Sequence, residues 1–144
     1  MTPEHAIRKL LMAESNITDV VSTRFGPWAA AQSWSLPYGV YMRISAVHSN
    51  HMTAMGGVVV ARIQVDWCDE DYDRLMTTAD TARDALSGYT GTVTDGADSL
   101  VVRLLRLETD AIGMEQPTAG SDEGVWRMTQ DYVIAYPESV PTFT

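Results

Sequence analysis

The sequence predicts one α+β domain, in which a mostly antiparallel sheet with a long central hairpin is packed on one face by two main helices. Two neighbouring segments, Leu36–His48 and Val58–Cys68, alternate apolar and polar residues with the period of two that is typical of strands. Two other segments carry apolar residues at helical spacing, and 144 residues with 45% hydrophobic content suffice for a single core. We therefore assign residues 1–136 to the domain and residues 137–144 to an extended C-terminal tail.

The N-terminal part of the chain predicts a helix, a further helical turn and a short strand. Thr2 can cap the helix, which begins at Pro3 and ends near Ala13. The helical turn is expected over Thr18–Val21 and the short strand over Thr23–Trp28. The apolar stripe of the helix consists of Ala6, Ile7, Leu10 and Leu11.

Each segment of the central hairpin has an apolar side and a mixed side. Because an antiparallel sheet commonly buries one face, we expect the apolar sides to pack against a helix. The apolar sides are Tyr38, Val40, Met42, Ile44 and Ala46 in the first segment, and Val59, Ala61, Ile63, Val65 and Trp67 in the second.

The second half of the chain predicts the second main helix, over Tyr72–Leu86, lying across the apolar side of the hairpin. Acidic residues precede this helix, where the unpaired backbone N–H groups favour negative charge. Further strands are expected over Tyr89–Asp95, Leu100–Leu107 and Val125–Tyr136, with a loop over Thr109–Gly124.

Composition narrows the classes of function. The formal net charge of −9 argues against a surface that grips phosphates, because such binding depends on Lys and Arg. The acidity indicates either solubility alone or a surface that lets DNA pass without sticking. The single cysteine, Cys68, excludes an intramolecular disulfide and favours a reducing, cytoplasmic setting. We expect no secretion signal, and no membrane span because the longest uncharged window, Phe25–Met42, contains prolines and glycines.

The residue patterns predict no enzyme activity, no cofactor and no metal site. His48 and His51 lie at the hairpin loop, whereas Cys68 lies at the far end of the second strand. Asp66 and Asp69 beside Cys68 are expected to raise the pKa of its thiol, which opposes a nucleophilic role. The acidic cluster around Asp69 misses the spacing and the glycine of a calcium loop, and no glycine-rich phosphate loop is present.

The hairpin loop is the candidate functional surface. It is longer than hairpin geometry needs and contains methionine, an adaptable contact residue, so it is either an ordinary flexible loop or a site of protein contacts. The chain also has four tryptophans, of which one or two are expected to anchor a subunit interface. The candidate interface residues are His48, Ser49, Asn50, His51, Met52, Thr53, Ala54, Met55, Gly56 and Gly57.

Over Leu36–Ser45 the chain resembles the tail-completion proteins of long-tailed bacteriophages, also described as tail-to-head joining or tail-terminator-like proteins. The resemblance covers roughly His5–Tyr136 and consists of a shared order of hydrophobic and turn positions. The other segments that carry it are the helix with Ala6–Leu11, the segment Thr23–Pro27, the strand Ala61–Asp66, the helix Ala79–Gly88 and the closing strand Trp126–Tyr136.

This resemblance implies a non-enzymatic virion protein that forms a ring, expected to be a hexamer, at the head-proximal end of the tail tube. Such a ring stops tube growth and docks to the head connector, at the head–tail junction of a virion assembled in the host cytoplasm. The implied partners are copies of the chain itself, the tail tube protein and a head-completion or connector protein. DNA is expected to pass through the ring without specific binding, and no membrane is involved. The rival interpretations are another neck or head-completion adaptor of a virion, and a small ligand-binding or catalytic α+β domain.

Overall fold

The computed structural model describes residues 1–30, 33–50, 55–115 and 124–138, which form helices and strands in two layers. The helices are α1 (Pro3–Met12), α2 (Ser15–Val21) and α3 (Tyr72–Leu86). The strands are β1 (Phe25–Pro27), β2 (Tyr38–Asn50), β3 (Met55–Asp69), β4 (Gly91–Asp95), β5 (Asp98–Val102), β6 (Leu104–Glu115) and β7 (Val125–Pro137).

Five strands form the main sheet, in the order β1-β2-β3-β7-β6. Every neighbouring pair in it is antiparallel except β1 and β2, which are parallel. Strands β4 and β5 form a separate two-stranded hairpin. The α+β class, the mostly antiparallel sheet and its long central hairpin β2–β3 are therefore confirmed.

The helices cover one face of the main sheet, and the core lies between the two layers. The predicted apolar side of β3, from Val59 to Trp67, is buried, and every second residue of β7 faces the same way. Helix α3 packs against β3 and β7 from the helix side of this core, which agrees with its predicted position across the hairpin. Its buried residues are Leu75, Thr78, Ala79, Ala82 and Leu86.

Both main helices begin where the sequence predicts. The Thr2 hydroxyl accepts a hydrogen bond from the His5 backbone N–H at 3.2 Å, and Pro3 follows as the first residue of α1. The Asp71 carboxylate caps α3 by accepting from the backbone N–H of Arg74 at 3.2 Å. The acidic residues before α3 therefore have a structural role in starting the helix.

The predicted apolar side of β2 is wrong. The residues that face the helices are Gly39, Tyr41 and Arg43, which lie opposite Trp67, Val65 and Ile63 of β3. Phe25 of β1 packs on this side, and a Cβ atom on Gly39 would come within 2.6 Å of its ring. The guanidinium of Arg43 pairs with Glu4 of α1.

A β-bulge helps to explain why the alternation of apolar residues in β2 predicts the wrong side as buried. The register shifts between Arg43 and Ser45, so the strand changes its facing there. Tyr38, Val40 and Met42 pair with Cys68, Asp66 and Gln64 and point away from the helices, and Ile44 is 49% exposed. Of the predicted set, only Ala46 beyond the bulge lies opposite a helix-facing residue, Ala61.

Three predictions for the region between α3 and β7 also need correction. The expected single strand Leu100–Leu107 is two strands, β5 and β6, which separate at Arg103. The expected loop Thr109–Gly124 is wrong as far as Glu115, because β6 continues to that residue; residues 116–123 lie outside the described ranges. The expected strand Tyr89–Asp95 begins at Gly91 and pairs with β5 instead of forming an edge of the main sheet.

Candidate assembly interface

The tip of the β2–β3 hairpin is the predicted interface, and its strands run further than the sequence suggests. Asn50 pairs with Met55, so the connection between the strands is residues 51–54 and not 49–57. Of the ten candidate residues, His48, Ser49 and Asn50 belong to β2, and Met55, Gly56 and Gly57 belong to β3. His51, Met52, Thr53 and Ala54 lie outside the described residues.

The C-terminal end of β7 and the residue after it, Glu138, contact the base of this hairpin tip. Pro137 pairs with Val58, and the backbone N–H of Glu138 donates to the Gly57 carbonyl at 2.9 Å. The carboxylate of Glu138 lies 2.7 Å and 2.9 Å from His48 Nδ1 through its two oxygens. The end of β7 therefore supports the hairpin as far as His48 and Gly57.

Trp28 is the most exposed of the described tryptophans, with 69% of its surface accessible. It follows β1 and adopts a left-handed backbone conformation with φ of 66°, which a bulky side chain rarely adopts. Its backbone N–H donates to the Tyr41 carbonyl at 2.9 Å, which holds the main chain of Trp28 beside β2. A cleft of about 410 Å³ opens next to it, lined in part by Glu4 and Arg43.

The other tryptophans are built into the domain. Trp67 is 1% exposed, and its indole N–H donates to Gln130 Oε1 at 3.0 Å. Trp126 is half-buried and meets Tyr72 edge to face at 5.1 Å. Trp34 packs beside Tyr38 at 6.3 Å. The sequence supplies no signal that separates Trp28 from these three, because all four stand among apolar or turn residues.

Exposed apolar side chains concentrate at the two edges of the main sheet. Among the described residues, nine large apolar side chains are exposed, and seven of them lie at or beside these edges. Trp28, Ile44 and Val47 lie at β1 and β2, whereas Leu104, Ile112 and Met114 lie on β6 at the other end of the sheet. Tyr72 belongs to the second group, because it packs on Trp126, which lies opposite Met114. Sequence reasoning missed both groups, except that Trp28 is one of the four tryptophans from which it expects an interface anchor.

The acidic and thiol groups near the base of the hairpin are occupied by structural contacts. Asp69 is 1% exposed and accepts from Arg74 Nε and Nη2 at 2.7 Å and 2.6 Å. Burial is the main cause that raises the pKa of Cys68, with Asp66 adding a smaller contribution and Arg127 opposing it. The expected direction of the Cys68 shift is correct, but its main cause is desolvation.

The described ranges contain no set of side chains arranged to bind a metal ion. No group of three or more His, Cys, Asp or Glu side chains there is placed to hold an ion. Across β3, His48 and Cys68 are separated by nine residue positions, or about 30 Å at the usual rise per residue. In the same ranges, no helix has the length and apolar character needed to cross a membrane.

The comparisons with known proteins identify a fold relative. No protein-family model matches the chain, and neither does any curated protein sequence. A solved structure matches with a TM-score of 0.71 and 12% sequence identity, over 94% of this chain and 94% of the matched chain. That chain belongs to the "Virion of native gene transfer agent (GTA) particle". The protein therefore shares its whole fold with a chain of a virion particle.

Proposed function

We propose that the protein is a structural subunit of a bacteriophage virion, which forms a ring at the head-proximal end of the tail tube. The observation that carries this proposal is the fold likeness to a virion chain over 94% of both chains, which involves the whole domain and not a shared motif. The sequence resemblance to tail-completion proteins adds the position in the particle. In that position the ring ends tube growth and presents the surface that joins the tail to the head connector.

The hairpin tip, His48–Gly57, is proposed to contact a neighbouring subunit or the tube. Support comes from its position at the end of the longest hairpin of the sheet and from the contacts between Glu138 and His48 that hold its base. A supported strand pair loses little conformational freedom when it binds, which favours its use as a contact element. Methionine at positions 52 and 55 suits such contacts because its side chain adapts to irregular surfaces.

The acidic surface is proposed to let DNA pass through the ring. The net charge is −9, and exposed carboxylates follow the outer side of α3 at Asp73, Asp80 and Asp84. Like charges repel the phosphates, and few basic groups are available to displace counterions from them. The partners in this proposal are further copies of the chain, expected to number six in the ring, together with the tail tube protein and the head-side connector protein.

A neck or head-completion adaptor is the second candidate, because the likeness to a virion chain fits that role equally well. Electron microscopy of particles produced without this protein separates the two. Loss of a tail terminator gives overlong tails, whereas loss of a neck adaptor leaves tails of normal length that are not attached to heads. Normal, infectious particles without the protein would contradict both roles.

A further inference from the structure

We infer that the two open edges of the main sheet are the two halves of the contact between neighbouring copies, with β6 of one copy pairing antiparallel with β2 of the next. This inference rests on the proposed ring and names its subunit interface. We define the β2 edge as Met42–Asn50 together with Trp28. We define the β6 edge as Thr109–Glu115 together with Tyr72.

The described structure leaves only these stretches of the outer strands uncovered. Strand β1 pairs with β2 at Gly39–Tyr41 and not beyond, and no other described strand lies alongside Met42–Asn50. On β6, the Leu105 carbonyl accepts from the Gly88 N–H at 2.7 Å, and the Leu107 N–H donates to Ser87 Oγ at 3.2 Å. The turn after α3 thus covers the first part of β6, and the β6 edge begins after it.

The outward backbone groups of each edge follow from these contacts. Residues of an antiparallel pair alternate between bonding their partner strand and pointing away from it. Leu105 and Leu107 point away from β7, and the bulge between Leu107 and Thr109 resets the alternation. Asp110, Ile112 and Met114 therefore direct their N–H and C=O groups outward. Beyond the bulge in β2, the same reasoning assigns the outward positions to Ala46 and His48.

An unpaired edge normally carries features that prevent association, and these two edges carry the opposite. Strand β1 does have such a feature, because it is three residues long and contains Pro27, which lacks an N–H donor. The β2 and β6 edges instead place exposed apolar side chains next to their outward backbone groups. The fractions exposed are 69% for Trp28, 49% for Ile44, 67% for Val47, 43% for Tyr72, 41% for Ile112 and 44% for Met114.

The direction of the strands suits a second copy of this chain as the occupant. Strands β2, β3, β7 and β6 alternate in direction, so β6 runs opposite to β2. A rotation that closes a ring preserves strand direction, and β6 of one copy therefore meets β2 of the next as an antiparallel pair. The two edges differ, so the contact is head-to-tail, which is the kind that generates rings.

The offset between the edges is compatible with closure. Ile112, the centre of the β6 edge, lies level with Gly39 and Trp67 across the sheet, whereas Ala46, the centre of the β2 edge, lies level with Ala61. Trp67 and Ala61 are six positions apart on β3, which corresponds to about 20 Å along the strands, and four strands span about 19 Å across them. A continuous sheet with this offset has strands tilted by about 46°, close to the 35–45° tilt of closed barrels.

Charged residues placed on one edge at a time test the inference. The β2-edge variant is Ile44→Lys/Val47→Lys, and the β6-edge variant is Ile112→Lys/Met114→Lys. The matched control, Thr94→Lys/Val101→Lys, adds the same charge at exposed positions of the β4–β5 hairpin. Because all these side chains are exposed, we expect each variant to keep its circular dichroism spectrum and a Tm within about 3 °C of the parent protein.

Light scattering then reports assembly, in solution and after addition to tail tubes produced without the protein. We expect each edge variant to associate at least about tenfold more weakly than the parent, while the control assembles normally. An equal mixture of the two edge variants is expected to stop at dimers, because each pair of copies retains one intact contact. Normal assembly of either edge variant, or a mixture that stays monomeric, would overturn the inference.

The same measurements separate this inference from the proposed function. If the parent protein forms rings and corrects tail length while the edge variants do so equally well, the ring is right and the edge contact is wrong. If the parent protein forms no oligomer in solution or on tubes, both the ring and the edge contact are wrong.

Discussion

The centre and the edges of the main sheet follow different rules. Strands β3 and β7 pair without a register shift from Val58–Pro137 to Asp69–Trp126, and their helix-facing residues are buried along most of this length. The outer strands β2 and β6 each contain a bulge and carry exposed apolar side chains beyond the helices. The centre therefore specifies the fold, whereas the edges are where we propose contacts outside the monomer.

The largest expected effect on stability comes from a charge placed in the central strand β3. Ile63 is fully buried in β3 and faces the helices, so Ile63→Asp places a carboxylate in the core without a partner. We expect the domain to unfold, with a loss of more than about 4 kcal/mol. Urea denaturation followed by circular dichroism measures it, and Val101→Asp at an exposed site is the control. A folded Ile63→Asp protein would contradict the assignment of the centre as the core.

A smaller effect is expected from the buried amide of Gln130. Its oxygen accepts from Trp67 Nε1 at 3.0 Å and from the Tyr132 hydroxyl at 3.1 Å, and its nitrogen donates to the Ala79 carbonyl at 3.0 Å. Gln130→Leu leaves the buried Trp67 indole N–H and Tyr132 hydroxyl without this partner, and the Ala79 carbonyl keeps only its hydrogen bond within α3, so the change should cost about 3 kcal/mol. Thr129→Val, next to it on the partly exposed face, is the matched control and should cost less than about 1 kcal/mol. Equal costs for the two variants would show that this hydrogen-bond network contributes little.

A slight, pH-dependent effect on the Tm is expected from the ion pairs between α1 and the β4–β5 hairpin. His5 and Lys9 hold the pKa of Asp95 below its usual value, and the N-terminal ammonium does the same for the pKa of Asp98. A depressed carboxyl pKa stabilises the fold above the ordinary carboxyl pKa, and the stabilisation is lost as the pH falls through the folded-state pKa. Asp95→Asn/Asp98→Asn should therefore lower the Tm slightly at pH 6 and should differ little from the parent at about pH 2. A difference in Tm that grew on acidification would reverse this sign.

The hairpin tip should have the smallest effect on stability and a clear effect on assembly. Met52→Ser/Met55→Ser removes the two adaptable side chains and keeps every residue of the described core, so the urea midpoint is expected to stay unchanged. Tail completion, scored as the fraction of tails of normal length joined to heads, should fall. The control is Val101→Ser, at an exposed position of the β4–β5 hairpin. Loss of stability with normal tail completion would reverse the assigned roles of the core and the tip.

The sequence predicts the centre of the sheet because burial there imposes a regular period. Ile63 and Ile134 belong to strands whose alternate residues face one continuous core, and the two main helices carry complete apolar stripes with caps. Local pattern and tertiary packing agree in these elements, so the pattern alone identifies them.

The edges could not be predicted because their apolar and polar residues do not alternate between buried and exposed positions. In β6, the stretch from Thr109 to Met114 is exposed on both sides, so it has no apolar period and resembles a loop. In β2, the bulge after Arg43 changes the facing, and an arginine takes a helix-side position because Glu4 of α1 pairs with it. The exposure of Trp28 depends on where β1 ends, which the pattern of residues does not encode.

The bond between Glu138 and His48 has a mechanical consequence for the hairpin. A strand pair that projects from a sheet bends more easily the further it extends beyond its neighbouring strands. Here β7 extends the support to Gly57, so only the last few residue positions of the hairpin overhang it. A partner that presses on the hairpin at His48 or Gly57 would therefore load β7 as well as β3, and the force would pass along both strands into the centre of the sheet.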